Sequence, residues 1–196
     1  MGKNWVGYRV SSRSFPNRKA EIRSNSIFIT PLDAGDLDRN PYIGYKCIRF
    51  WKDVAVVANG LHSDMIFEKV QDGVLPIDAI ALSLVAYGYE RDDLFTPRIA
   101  GVMVGNNAWL GIVSRQEFRV KEFDLKDGNA FMVATYEKIE FEPTTLSARN
   151  AKEIAKSLFE LDFEKPICAA AAMASQSDGG FELAVYNSLE EDHEDQ

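Results

Sequence analysis

From Trp5 to Phe15 the side chains alternate between two faces. Tyr8, Val10, Ser12 and Ser14 fall on one, and Arg9, Ser11, Arg13 and Phe15 on the other. A period of two predicts a strand, and Pro16-Asn17 would end it. SIFIT (26–30) predicts a second short strand, followed by a loop rich in Asp and Gly. Strand character returns from about Ile43 in NPYIGYKCIRFW. VAVVANG (54–60) is apolar enough to be buried on both faces, and Lys52-Asp53 before it suits a hairpin turn. The period then changes. Ser63 can cap a helix running to about Asp72, with Gly73 just past its end. A second helix starts near Pro76, places Ile77, Ile80, Ala81, Leu84 and Val85 on one face, and stops around Gly88. Strand patterns resume in RIAGVMV (98–104), AWLGIVS (108–114), FRVKEFD (118–124) and AFMVATYEKIE (130–140), with GNN and KDG as turns. A third helix fits 147–160, capped by Ser147. CAAAAMAS (168–175) and FELAVYN (181–187) flank SDGG, a hairpin signal. Alanine's helix preference competes with that turn in CAAAAMAS.

This order, with its many hairpin turns, predicts an α+β fold of mainly antiparallel strands, two packed sheets lying between helical layers. A chain of 196 residues suits one domain. Residues 1–187 would form it. Residues 188–196 would be a solvated acidic tail, because Glu190, Glu191, Asp192, Glu194 and Asp195 leave too little apolar surface to pack. No apolar run approaches the roughly 20 residues that span a bilayer. The N-terminus lacks a secretory pattern, so a cytoplasmic location is expected. Cys47 and Cys168 each sit in an apolar stretch and read as buried thiols, with a disulfide open only if the fold brings them together.

The net charge of −8 disfavours nucleic-acid binding. The charge is unevenly spread. Lys3, Arg9, Arg13, Arg18, Lys19 and Arg23 face only Glu21 in the first 23 residues, so a small anionic ligand at a basic site stays open. YRVSSRSFPNR (8–18) concentrates arginines and hydroxyls. Arg9, Ser11 and Arg13 would sit roughly 7 Å apart along one face, a supply of donors suited to a phosphate. An exposed strand face with solvated charges fits the spacing as well. No His/Cys cluster has metal spacing, and neither a glycine-rich phosphate loop nor a nucleophile elbow is present. No metal or cofactor is therefore expected.

Taken in order, YRVSSRSFPNR, NPYIGYKC, NGLHSD, YERDD and TPRIA resemble the archaeal-type IMP cyclohydrolase family. The motifs run from about Trp5 to Ile99, and the likeness becomes a general pattern beyond them. The resemblance implies the four-layer αββα sandwich of N-terminal-nucleophile hydrolases, without their self-processing. It implies closure of the purine ring of formyl-AICAR to IMP, with loss of water and no cofactor. It assigns Tyr45 and Glu90 to acid–base catalysis and Arg18 to the developing oxyanion. Arg9, Ser11, Ser12 and Arg13 would hold the phosphate and ribose, and Asn59, Thr96 and Arg98 would line the rest of the nucleotide pocket. A purine-nucleotide-binding protein on the same scaffold, without turnover, is the alternative. The family pattern also implies a strand ahead of the first motif, where only seven residues precede Tyr8 here. An unpaired sheet edge there would favour homo-oligomers. Gly88 stands where the family pattern implies an acidic residue.

Overall fold

The computed structural model describes residues 4–12, 14–146, 148–175 and 179–188. Arg13, Ser147, the first half of the SDGG turn and the acidic residues beyond Ser188 lie outside the described residues.

The chain runs β1 (Trp5–Ser11), β2 (Arg18–Arg23), β3 (Ser26–Pro31), α1 (Asp36–Arg39), a 3-10 turn (Pro41–Ile43), β4 (Tyr45–Trp51) and β5 (Val54–Ala58). Helices α2 (His62–Gln71) and α3 (Pro76–Tyr87) follow, then β6 (Arg98–Val104), β7 (Asn107–Val113), β8 (Phe118–Asp124), β9 (Ala130–Met132) and β10 (Glu142–Thr144). The chain closes with α4 (Ala151–Phe159), β11 (Pro166–Ala174) and β12 (Phe181–Asn187). Strands β2 to β8 form a seven-stranded sheet in chain order, while β1, β11 and β12 form a three-stranded sheet with β11 in the middle. Strands β9 and β10 pair as a separate ribbon. Every strand pair is antiparallel. The fold is thus mixed α and β on antiparallel sheets.

Three apolar cores hold these elements. Ile27, Ile29, Cys47 and Ile48 of the large sheet pack against Val10, Cys168, Ala170 and Ala172 of the small one. Both cysteines are free thiols within this core. Helices α2 and α3 cover the large sheet through Ile66, Phe67, Ile80 and Leu84 against Val56, Val102 and Trp109. Helix α4 covers the small sheet through Ile154, Ala155 and Leu158 against Ala169, Ala171 and Met173. Strand β11 therefore resolves the CAAAAMAS ambiguity. Its alternate residues enter two different cores, and side chains this small let both neighbours approach.

Several expectations change. Strand β1 ends at Ser11, not Phe15. Arg18–Arg23 is a strand the pattern did not announce, turning into β3 through Ser24, whose φ is 50°. AFMVATYEKIE is not one strand. Glu137 has a φ of 62°, and a tight turn joins the Ala134 N–H to the Lys138 carbonyl at 2.8 Å. Ser63 lies inside α2 and donates its hydroxyl to the Lys46 carbonyl at 2.7 Å instead of capping the helix. Helix α3 buries Ala79, Ile80, Ser83 and Leu84, leaving Ile77 and Val85 exposed. Its face is set by close approach to β7, where a Cβ at Gly111 would lie 2.3 Å from Ile80 Cγ2. Helix α4 is capped by Asn150, whose side chain accepts from the Glu153 N–H at 2.9 Å.

Packing this tight predicts a cost for added volume in β11. Ala170 is fully buried and lies beside Tyr8 in the sheet register. Ala170→Leu is expected to destabilise the fold by about 1–3 kcal/mol through overpacking. A lowered urea midpoint at unchanged m-value would register it, and an unchanged midpoint would contradict it.

Candidate active site

A cavity of about 1250 Å³ is lined by β1, the starts of β2 and β4, the segment from Tyr87 to Ile99, and the segment from Leu125 to Tyr136. Every predicted site residue among the described residues lines this cavity.

The start of β4 delivers Tyr45, and β1 delivers Tyr8 from the opposite sheet. Their hydroxyl oxygens are 2.8 Å apart. The rings meet edge-on, with centroids 6.3 Å apart. Burial pushes the Tyr45 phenol up to about 12, while the Arg18 charge and the Tyr8 hydrogen bond hold it down. Burial, and then the charge of Tyr45, raise Tyr8 well above an ordinary phenol. Both phenols are thus protonated at neutral pH. Arg18 is buried, with its Nε donating to the Phe15 carbonyl at 3.0 Å. That anchor aligns the guanidinium, whose terminal nitrogens make no hydrogen bond to the described side chains.

Glu90 sits on a loop whose shape is set by its own hydrogen bonds. Its N–H donates to the Thr96 carbonyl at 2.8 Å. Asp92 accepts from the Thr96 N–H at 2.8 Å and from the Thr96 hydroxyl at 2.6 Å. Gly88, with φ 63° and ψ −169°, opens this loop in a region that a side chain would strain. An acidic residue at this position would be disfavoured on backbone grounds. The Arg98 Nη1 donates to Glu90 Oε1 at 3.0 Å. Burial raises the Glu90 carboxyl above the usual range, against the lowering by Arg98. A carboxylate made more basic in this way suits proton abstraction.

Arg9 extends from the opposite face of β1. Its Nη2 donates to the Phe163 carbonyl at 2.9 Å, and its guanidinium lies 5.4 Å from the Phe163 ring centre. Its Nε and Nη1 are buried without a hydrogen-bond partner, and burial lowers its pKa. Two such donors suit an anionic oxygen. Ser11 lines the cavity beside Arg9, while the Ser12 Oγ already accepts from the Phe15 N–H at 3.0 Å. The side chain of Asn59 is also committed. It donates to the Pro97 carbonyl at 3.0 Å and accepts from the Ile99 N–H at 2.8 Å, joining the ends of β5 and β6. Thr96 is engaged by Asp92. These two residues shape the cavity wall and have less to offer a ligand.

Sequence reasoning assigned no role to Tyr8, Asp92 or His62. The signal for Tyr8 was its place on the core face, where a phenol needs a hydrogen-bond partner. His62 is fully buried, with Nε2 3.0 Å from the Ile99 carbonyl and Nδ1 unpartnered. It supports the strand that carries Arg98. Among the described residues, no group of three or more His, Cys, Asp or Glu side chains could hold a metal ion. No described helix is long and apolar enough to cross a membrane.

The sequence profile of the family described as IMP cyclohydrolase-like protein matches residues 1–179. An IMP cyclohydrolase of Methanothrix thermoacetophila is 60% identical over 183 residues, 93% of this chain and 91% of the relative. One from Methanocella arvoryzae is 50% identical over 187 residues, covering 95% of this chain and 92% of the relative. One from Methanococcus aeolicus is 43% identical over 192 residues, with 94% and 93% covered.

The buried histidine generates a pH prediction. Burial lowers the His62 pKa from 6.5 to about 4. The unfolded chain takes up this proton below about 6.5, and the folded chain only near 4. His62 therefore contributes stability above the unfolded value, and this is lost as the pH falls through that window. Denaturant titrations across it should show the decline, and His62→Gln should flatten part of it. Equal slopes in both proteins would contradict the assignment.

Proposed function

The chain belongs to the IMP cyclohydrolase-like family, and from that premise we propose that it closes the purine ring of formyl-AICAR to give IMP and water. This is the last step of de novo purine biosynthesis, in the cytoplasm. The reverse reaction adds water across the ring, which makes the enzyme a hydrolase by class. The supporting observation is that a carboxylate of raised pKa, a phenol pair and the arginines Arg9, Arg18 and Arg98 line one cavity. Simple capture of a phosphate needs neither the phenol pair nor that carboxylate.

The chemistry assigns work to each group. The carboxamide nitrogen attacks the formyl carbon, and the formyl oxygen gains negative charge. Arg18 stabilises that charge. Glu90 takes the proton from the attacking nitrogen, and Tyr45 gives one to the oxygen. The resulting carbinolamine loses its hydroxyl as water. Glu90 returns its proton to the departing hydroxyl, and the Tyr45 phenolate recovers one from the former formamide N–H. Both groups end as they began. Arg9 and Ser11 hold the phosphate, with Arg13 and Ser12 beside them in the motif. Arg98 orients Glu90, while Asn59 and Thr96 hold the loop and strand ends that frame the nucleotide. No metal or cofactor takes part. The three apolar cores support a layer order of helix, sheet, sheet and helix, which matches the four-layer αββα sandwich of the family. Residues 1–187 make up a single domain in this reading.

Two measurements test this reading. Formyl-AICAR should be converted to IMP at the same rate with and without a chelator, and AICAR lacking the formyl group should give no product. Absence of turnover, with AICAR or IMP still raising the melting temperature, would instead favour a nucleotide-binding protein on the same scaffold. Glu90→Gln should lower kcat by about 100-fold or more, the usual range for loss of an acid–base group, while IMP affinity changes little. An unaltered kcat would remove Glu90 from the mechanism.

A further inference from the structure

We propose that Tyr8 is a positioning residue that donates its hydroxyl hydrogen to the Tyr45 oxygen, so that the Tyr45 proton is directed to the substrate. The inference rests on the cyclohydrolase reading of Tyr45. It assigns a task to a residue outside the catalytic and binding set argued above.

One short contact joins the two phenols. Their oxygens are 2.8 Å apart, so a single hydrogen bond joins them, and either can be its donor. A phenol carries one donor hydrogen. If Tyr45 donated to Tyr8, its proton would be occupied and only lone pairs would face the cavity. If Tyr8 donates, Tyr45 keeps its proton for the formyl oxygen. Arg18, at the start of β2, is the foremost stabiliser of negative charge at Tyr45, but its effect on Tyr8 is the weakest of those acting there. Tyr45 is therefore the phenol that gives up its proton more readily, and that proton is free for the substrate only when Tyr8 is the donor in their contact. The other titratable neighbours are Cys47 on β4 and Cys168 on β11, both buried thiols that are neutral in the fold. The Cys47 thiol already donates to the Ile27 carbonyl at 3.3 Å.

The consequence appears when the proton moves. The Tyr45 O–H bond breaks, its proton passes to the formyl oxygen, and a phenolate is left in a mostly apolar surrounding. The Tyr8 O–H and the Arg18 charge then stabilise that phenolate. Hydrogen bonds to charged groups are the strong ones. Tyr8 thus acts on the transition state through Tyr45, without touching the substrate's reacting atoms.

Tyr8→Phe keeps the edge-on ring and removes only the hydroxyl. It is expected to lower kcat for formyl-AICAR by about 10- to 100-fold, with KM and melting temperature close to the parent's. Placing 3,5-difluorotyrosine at position 45 in the Tyr8→Phe protein makes that phenol intrinsically more acidic and should recover a large part of kcat. A role limited to packing would show no such recovery. An unchanged kcat in Tyr8→Phe, or a loss that the fluorinated residue does not recover, overturns the proposal. If the Tyr8→Phe chain does not fold, the fluorinated residue in the otherwise native chain decides. An alkaline loss of kcat that sets in at lower pH supports the link, and an unmoved pH profile overturns it. Turnover by the native chain separates the two levels. Its absence removes the cyclohydrolase reading and this inference together, whereas its presence with an unaffected Tyr8→Phe removes the inference alone.

Discussion

Strand β11 has to pack on both faces at once, and its run of alanines is what allows two cores to close around it. Cys168, Ala170 and Ala172 meet the large sheet, while Ala169, Ala171 and Met173 meet α4. The separation of the two sheets is set here, because a larger side chain on the inner face would hold them apart. The phenol contact between Tyr8 and Tyr45 crosses that same gap, with Tyr8 beside Ala170 in the register. A hydrogen bond of this length tolerates little drift in sheet spacing. The phenol contact in the cavity therefore rests on a packing constraint imposed by small apolar residues of β11.

Two arginines that line the cavity keep buried donors without a hydrogen-bond partner, Arg9 at Nε and Nη1 and Arg98 at Nε. A buried polar group left unsatisfied costs about 1–3 kcal/mol. Elsewhere the same segments are well satisfied. Asn187 accepts from the Ala20 N–H at 2.8 Å and donates to its carbonyl at 3.1 Å, fastening β12 to β2. Asn59 does similar work between β5 and β6. These bonds fasten strands that sequence separates widely.

Much of this was legible along the chain. Period-two patterning located most strands of the large sheet, and Lys52-Asp53 and GNN marked turns where β4–β5 and β6–β7 form hairpins. The sequence motifs also brought Arg9, Arg18, Tyr45, Glu90 and Arg98 forward as candidates. What periodicity could not supply was partnership. RKAEIR has too few apolar residues to announce a strand, and it becomes β2 because β3 pairs with it along its whole length. The helical spacing of α3 predicted a face that includes Ile77 and Val85, and close packing on Gly111 turned Ala79, Ile80, Ser83 and Leu84 inward instead. Asn59 looked like a ligand contact, yet its amide is engaged by backbone groups that are distant in sequence and only meet it in the fold.

The sequence by itself determined the mix of helix and antiparallel strand, the family and the candidate residues for the site, because these follow from side-chain type, order and local period. The tertiary structure alone decided which of those residues meet. Tyr8 and Tyr45 are 37 positions apart and on different sheets, and Glu90 reaches Arg98 only across a self-bonded loop. The shifts in their proton affinities come from burial and from neighbouring charges, and both are properties of the packed arrangement in space.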